Sequence, residues 1–332
     1  LVAAETLASL YEIADRLPVP FASGALECRL GESPRVDLLL SLRGASDHPI
    51  ALARTLSIAD AGSAWQRIRD FCEQWSAPAS PLAGPIPALW IEIDCDPETP
   101  APPLPWGFLC VDRWVDAATA RWNRAASESA ADLPEIAAGL SLLAGRAPAP
   151  QVLACLGRCR ELLSRHGRLL HVASLSSRGS DAVRIVAALD VRRLLEDLIA
   201  MGWPGSPDTV IDLLSFLDDT MEIVHIQLDL STAVQPMLGL EVFYPGGAPD
   251  PRWPPLLDKL VSRGACSPAK RDALLSWPGE CPSSPDGQGL VRLHRGMQVK
   301  IVHRPGVPLE AKAYLGFRHY FALKVPERPS PD

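Results

Sequence analysis

Apolar and polar positions alternate along this chain in two rhythms, and the changes of rhythm divide it into elements. In Leu89-Trp-Ile-Glu-Ile-Asp-Cys-Asp96 the period is two: Leu89, Ile91, Ile93 and Cys95 face one way, Trp90, Glu92, Asp94 and Asp96 the other. Val36–Leu42 repeats the pattern, with Val36, Leu38, Leu40 and Leu42 opposite Asp37, Leu39 and Ser41. Further strands are expected in pairs: a partner for 89–96 at Trp106–Asp112, then 168–175 with 182–188, 222–230 with 237–244, and 297–304 with 309–318. Ser177-Arg-Gly-Ser180 and Pro305-Gly306 supply turns. Between the pairs the period lengthens to that of a helix. Residues 3–17 place Leu7, Leu10, Tyr11, Ala14 and Leu17 on one stripe. A second helix starts at Ser63, with Gln66 three residues on as in a capping box, and turns Trp65, Ile68, Cys72 and Trp75 inward; helical spacing also fills 116–144 and 151–165.

One helical stretch is spelled twice. Leu194-Leu-Glu-Asp-Leu-Ile-Ala-Met-Gly202 is matched by Leu256-Leu-Asp-Lys-Leu-Val-Ser-Arg-Gly264. Ser206-Pro207 leads into Leu213-Leu214-Ser215-Phe216 as Ser267-Pro268 leads into Leu274-Leu275-Ser276-Trp277. A period of about 62 residues implies a supersecondary unit used more than once. Each copy predicts two helices, capped by Asp190 and Ser206 in the first, and each is followed by two strands, giving related units at 190–245 and 252–319. The whole chain then reads as α(α)ββ five times, an α+β protein with ten antiparallel strands, laid out as a single domain over 1–323 with a Pro-rich disordered tail at 324–332.

Ten such strands form either an open sheet or a closed barrel with helices outside. Each strand has one apolar face and one strongly polar face: Trp90, Glu92 and Asp94; His225, Gln227 and Asp229; Glu241; Lys300; Glu310, Lys312 and Tyr314. With no evident edge protection, this favours closure around a polar, wet lumen. The layout resembles the ABBA prenyltransferase barrel, in which five ααββ units close ten strands around a solvent-filled lumen. The resemblance is one of topology and spans nearly the whole chain.

Composition narrows the function classes. Thirty-nine acidic against 32 basic residues leave a net charge of −7, which argues against broad nucleic-acid binding. The eight cysteines form no CxxC pair and read as buried free thiols, consistent with a reducing, cytoplasmic setting; no apolar run is long enough to span a membrane. The 33 prolines gather in loops, and Trp65, Trp75, Trp203, Trp253 and Trp277 lie on or beside helices as packing residues.

No motif announces a reaction. HExxH, zinc spacing, GxSxG, P-loop and GxGxxG are all missing from the sequence, so no catalytic, metal-binding or cofactor-binding residue is assigned. Asp218-Asp219-Thr-Met-Glu222 has the look of a magnesium–diphosphate site, but it falls at a helix end where it suits a turn. Lys312-Ala-Tyr314 is similar to the Lys-x-Tyr pairs with which the resemblance to prenyltransferases would hold a diphosphate. Against that, the lumen residues Arg29, Arg184, Lys300 and Lys312 face Asp37, Glu92, Asp94, Asp229, Glu241 and Glu310, and a neighbouring acid is expected to neutralise Lys312.

The last third carries a second resemblance. Met237-Leu-Gly-Leu-Glu-Val-Phe-Tyr244, Leu256-Leu-Asp-Lys-Leu260, the run from Cys266 to Gly279, and Val299–Gly316 look like bacterial proteins of pathways for ribosomally made, modified peptides, the peptide-binding group of crocagin-type pathways. That resemblance implies recognition of a precursor peptide, contact with other pathway enzymes, and a homodimer. The expected binder holds its peptide at the lumen or rim with Trp90, Glu92, Asp94, His225, Gln227, Asp229, Glu241, Lys300, Lys312 and Tyr314. An enzyme on a prenyltransferase-like barrel and a purely structural barrel remain the alternatives.

Overall fold

The computed structural model describes residues 4–17, 23–44, 46–56, 63–95, 105–112, 131–244, 250–282 and 291–321. The strands alternate with helices in the order α1 (Ala4–Arg16), β1 (Ser23–Arg29), β2 (Val36–Arg43), α2 (His48–Thr55), α3 (Ser63–Trp75), β3 (Ala88–Ile93), β4 (Pro105–Cys110), α4 (Leu133–Ala144), α5 (Pro150–His166), β5 (Gly167–Ser174), β6 (Val183–Asp190), α6 (Leu194–Met201), α7 (Pro207–Leu214), β7 (Ile223–Leu230), β8 (Val234–Phe243), α8 (Trp253–Ser262), α9 (Pro268–Leu275), β9 (Gly279–Pro282), β10 (Val291–His303) and β11 (Glu310–Phe321). Neighbours in sequence pair antiparallel from β1 to β8; β8 pairs with β10, β10 with β11, and β11 returns to β1. The sheet is therefore closed, with ten strands in the barrel.

The apolar parity of the strands faces outward onto the helices. Leu40, Leu89, Ile91, Leu109, Ile185, Ile226, Leu240, Val299 and Ala313 pack with Phe71, Leu140, Leu156, Leu198, Leu213 and Leu257 in one continuous core. Burying such side chains is worth roughly 1.5–3 kcal/mol each, so this shell between barrel and helices is the main apolar contribution to stability. All eight cysteines are free, and seven are buried.

Local chemistry explains the helix boundaries. Ser206 and Ser267 each accept a hydrogen bond from the backbone N–H three residues on, and each is followed by proline at the first helical position. Asp190 caps the short 3-10 turn that leads into α6, and Gly202 ends α6 with φ 83°. The layers are stitched together: Lys259 Nζ on α8 donates to the Ser215 carbonyl after α7 at 2.8 Å, and Asp197 on α6 meets His166 of α5 at 2.9 Å. The last helices also reach the first hairpin, where the Ser267 N–H donates to the Leu30 carbonyl and Lys270 Nζ donates to the carbonyls of Arg29, Gly31 and Ser33 at 2.6–2.8 Å.

Three expectations need correction. A short helix, α2, precedes the one at Ser63, and a strand, β9, pairs with the part of β10 that runs beyond the barrel. The Gln66 amide donates to Asp70 one turn on at 2.6 Å, and the side chain of Ser63, at the expected cap, lies outside the described residues. Among the described side chains of α1 the inward residues are Thr6, Leu10 and Ile13, with Leu17 just past its end, whereas Ala14 is exposed and Tyr11 is 68% exposed; the side chain of Leu7 lies outside the described residues. The expected tail at 324–332 and most of the helical pattern at 116–132 lie outside the described residues. None of the described helices is long and apolar enough to cross a membrane.

Candidate functional site

Antiparallel register carries side-chain parity from one strand to the next, so the lumen face can be followed around the barrel. Arg29 pairs with Lys312, Lys312 with Lys300, Lys300 with Glu241, Glu241 with His225, and Arg184 with Asp229. On the other side Glu27 pairs with Asp37, Leu39 with Glu92, Glu92 with Trp106, and Trp90 with Phe108. All ten residues expected to bind lie on this face: Trp90, Glu92, Asp94 just past β3, His225, Gln227, Asp229, Glu241, Lys300, Lys312 and Tyr314.

Much of that polar face is filled by its own ion pairs. Glu27, 1% exposed, accepts from Arg29 Nη1 at 2.6 Å, Lys312 Nζ at 2.8 Å and Lys300 Nζ at 3.2 Å. Burial opposes its ionisation, but the fields of Lys300, Lys312 and Arg29 outweigh burial and hold its carboxyl well below the ordinary carboxylate range. Lys300 Nζ also bonds the Tyr314 hydroxyl and lies 4.9 Å from the centre of its ring. Gly239 leaves room for this: a Cβ there would lie 3.0 Å from Gln227 Cβ and 3.6 Å from Lys300 Cδ. Glu241 accepts from Gln298 at 2.7 Å.

A second network closes the hairpin end. Arg178, on the turn between β5 and β6, donates to Asp94 at 2.7 Å and Glu92 at 2.8 Å, and its guanidinium stacks 3.9 Å over Trp106. Arg184 is bidentate on Asp229 at 2.7 and 2.9 Å. Trp106, Phe108, Ala173, Leu175 and Ala182 form an apolar lining here with Trp90 against it, separate from the outer core. Burial and the charge of Glu27 raise Glu92 to about 7, and Arg178 offsets only part of this. Beside this network, at the hairpin rim, Leu175, Ala182, Met237, Asp229, Gln235 and Arg304 line a cleft of about 460 Å³.

The rest of the lumen face is less tightly closed. Trp90, His171, His225, Phe243, Gln298 and Tyr314 are half-buried. Burial lowers both histidines to about 4, with the neighbouring His225 adding to the effect at His171, so both imidazoles are neutral at pH 7. Among the described residues, the buried atoms Trp106 Nε1 and His171 Nδ1 find no hydrogen-bond partner.

The carboxylates of Glu27, Asp37 and Glu92 offer oxygens within 4.8 Å of one another, the spacing of a metal site. Arg29, Arg35, Arg178, Lys300 and Lys312 are already bound to them, so these oxygens are satisfied by resident cations. Asp218 makes the expected turn, accepting from the Thr220 N–H at 2.9 Å. Lys312 is neutralised as expected, chiefly by Glu27 and then by Glu310 at 3.7 Å.

Sequence reading missed three central residues. Glu27 shares the parity of Arg29 two residues on, a signal that was present in the sequence. Trp106 was placed on a strand without its face being followed. Arg178 sits in a turn, where periodicity says nothing about what a side chain will reach.

A closed ten-stranded antiparallel barrel, sheathed by paired helices and charged inside, defines an ABBA-type architecture. Among solved structures, AnaPT from Neosartorya fischeri, a prenyltransferase with this barrel, is similar over 88% of this chain and 77% of its own, with a TM-score of 0.50 and 12% sequence identity. At that identity the likeness speaks for the fold alone. No protein-family model matches the chain, and no curated protein matches it in sequence.

Proposed function

We propose that this barrel is a receptor for a ribosomal precursor or modified peptide, which it presents to or protects from other enzymes of a biosynthetic pathway. The observation that carries this reading is the internal neutralisation of the lumen. Arg29, Arg168, Arg178, Arg184, Lys300 and Lys312 each have a carboxylate partner within 3.2 Å. A diphosphate would have to displace buried pairs, and breaking one costs on the order of 3–5 kcal/mol. The half-buried side chains that remain are aromatic or neutral and polar. Trp90, Phe243 and Tyr314 offer faces for a side chain, and His171 Nδ1, without a partner among the described residues, offers a hydrogen bond for an amide. The test is calorimetric titration of the purified chain with the precursor peptide encoded beside its gene. Saturable binding, weakened at least about tenfold in Trp90→Ala, is expected; the absence of binding to both leader and core segments would sink the proposal.

A second reading has an observation of its own. Glu92, raised to about 7 beside Trp90 and Trp106, is poised to exchange a proton with an aromatic acceptor, as an enzyme on this barrel would require. Saturable binding of a prenyl diphosphate to the wild-type chain, lost in Lys300→Met, would favour it over the first.

A further inference from the structure

Three cations and a phenol converge on one carboxylate where the barrel closes. Glu27 and Arg29 come from β1, Lys300 from β10, and Lys312 and Tyr314 from β11. The cations approach the two oxygens of Glu27 at 2.6, 2.8 and 3.2 Å, and Tyr314 bonds Lys300. Glu27 is 1% exposed, Lys300 3% and Lys312 8%. The cations differ in how far they depend on it. Arg29 also holds Asp37 at 2.9 Å and Glu310 at 3.3 Å, and Lys312 has Glu310 at 3.7 Å. Lys300 makes no other ion pair among the described residues; its further partners are Tyr314 and Gln227. Without Glu27, the group left behind is two ammonium heads and a guanidinium, deeply buried and backed by a phenol. That donor set fits the oxygens of a phosphate or carboxylate.

We propose that Glu27 determines what the lumen accepts: it fills from within an anion site built by Lys300, Lys312, Arg29 and Tyr314, and thereby excludes phosphate- and carboxylate-bearing ligands. The inference sharpens the receptor reading and rests on it for the statement that the natural ligand is not an anion at this point. It also accounts for the cost of burying so much charge. The cations fix β1, β10 and β11 together at the seam of the barrel, and the internal carboxylate keeps the site shut without a ligand.

The test compares wild type, Glu27→Gln and Glu27→Ala, with inorganic pyrophosphate as the probe and sodium chloride at matched ionic strength as the control. Calorimetry should show no saturable pyrophosphate binding to wild type and binding at least about tenfold tighter to either variant. Formate, which replaces the missing carboxylate, should raise the melting temperature of Glu27→Ala and leave wild type unmoved. Lys300→Met in the Glu27→Gln background should abolish the gained binding. If a variant does not stay folded, its refolding yield is measured in pyrophosphate against chloride, and a rise is expected. Variants that gain nothing from either anion, or a wild type that binds pyrophosphate as tightly as they do, overturn the proposal. The peptide titration is a separate readout on the wild-type chain, so failure there strikes the receptor reading and failure here strikes the role of Glu27.

Discussion

Glu92 and the two lumen histidines respond to pH in opposite senses, which makes them separable at the level of single residues. Burial, then the charge of Glu27, lifts the Glu92 carboxyl to about 7 from the 4.5 of an unhindered glutamic acid. Through that window the folded state holds a proton that the unfolded chain has lost, so Glu92 makes the protein less stable as pH rises from about 4.5 to about 7. Gln keeps an oxygen for Arg178 and does not titrate. Relative to wild type, Glu92→Gln should therefore gain stability between about pH 4 and about pH 8, by on the order of 3 kcal/mol, in urea denaturation. His171 and His225 are pushed down to about 4, by burial first and at His171 by the other imidazole second. Between about 4 and 6.5 the unfolded chain binds the extra protons, so these residues lose stability as pH falls. His171→Asn with His225→Asn should flatten the acid limb of the denaturation profile; an unchanged limb would show that the lumen is open enough to solvate both rings.

At the scale of elements, what the sequence made legible follows from whether an element's own residues determine it. The strand pairs β2, β3, β5–β8, β10 and β11 were readable because one face had to be apolar against helices and the other polar, and period two records that directly. Helices α6–α9 were readable from Gly202 and the Ser-Pro caps. By contrast, α2 begins at a residue whose side chain makes no capping bond, and its eight residues are too few for a stripe to stand out. β9 is Gly-Glu-Cys-Pro, which reads as a turn; it is a strand only because β10 extends past the barrel rim and offers an edge. Arg178 belongs to the same class, since its partners are 84 and 86 residues away. The seam gives an element-scale prediction. Lys270 of α9 satisfies three carbonyls at the β1–β2 turn. Lys270→Met should cost about 2 kcal/mol, the scale of hydrogen bonds to a charged group. The loss should appear as a lower urea midpoint with an unchanged slope; a wild-type midpoint would mean that pairing of β1 with β11 closes the barrel unaided.

For the molecule as a whole, closure and internal neutralisation together determine how a ligand can be bound. Each strand of the closed barrel has a neighbour on both sides, and β9, which carries an open edge, lies beyond the rim, so the proposed recognition falls to the lumen and its rims. There the cations are already matched to carboxylates, while Trp90, Phe243, Tyr314, His171, His225 and Gln298 line the less tightly packed part. Binding through such a surface draws on apolar burial and neutral hydrogen bonds, which salt screens little; a trianionic ligand gripped by lysines would depend on Coulomb attraction, which salt weakens. Under the receptor proposal, peptide affinity should therefore change less than about threefold between low and roughly physiological ionic strength, with a negative heat-capacity change on binding. Trp90 and Trp106 lie on the lumen face and the helix-side tryptophans do not, so the accompanying fluorescence change should fall by more than half in Trp90→Phe with Trp106→Phe. A steep salt dependence with no heat-capacity change would place the ligand on an outer charged surface, and the receptor would then be the helical layer instead of the lumen it encloses.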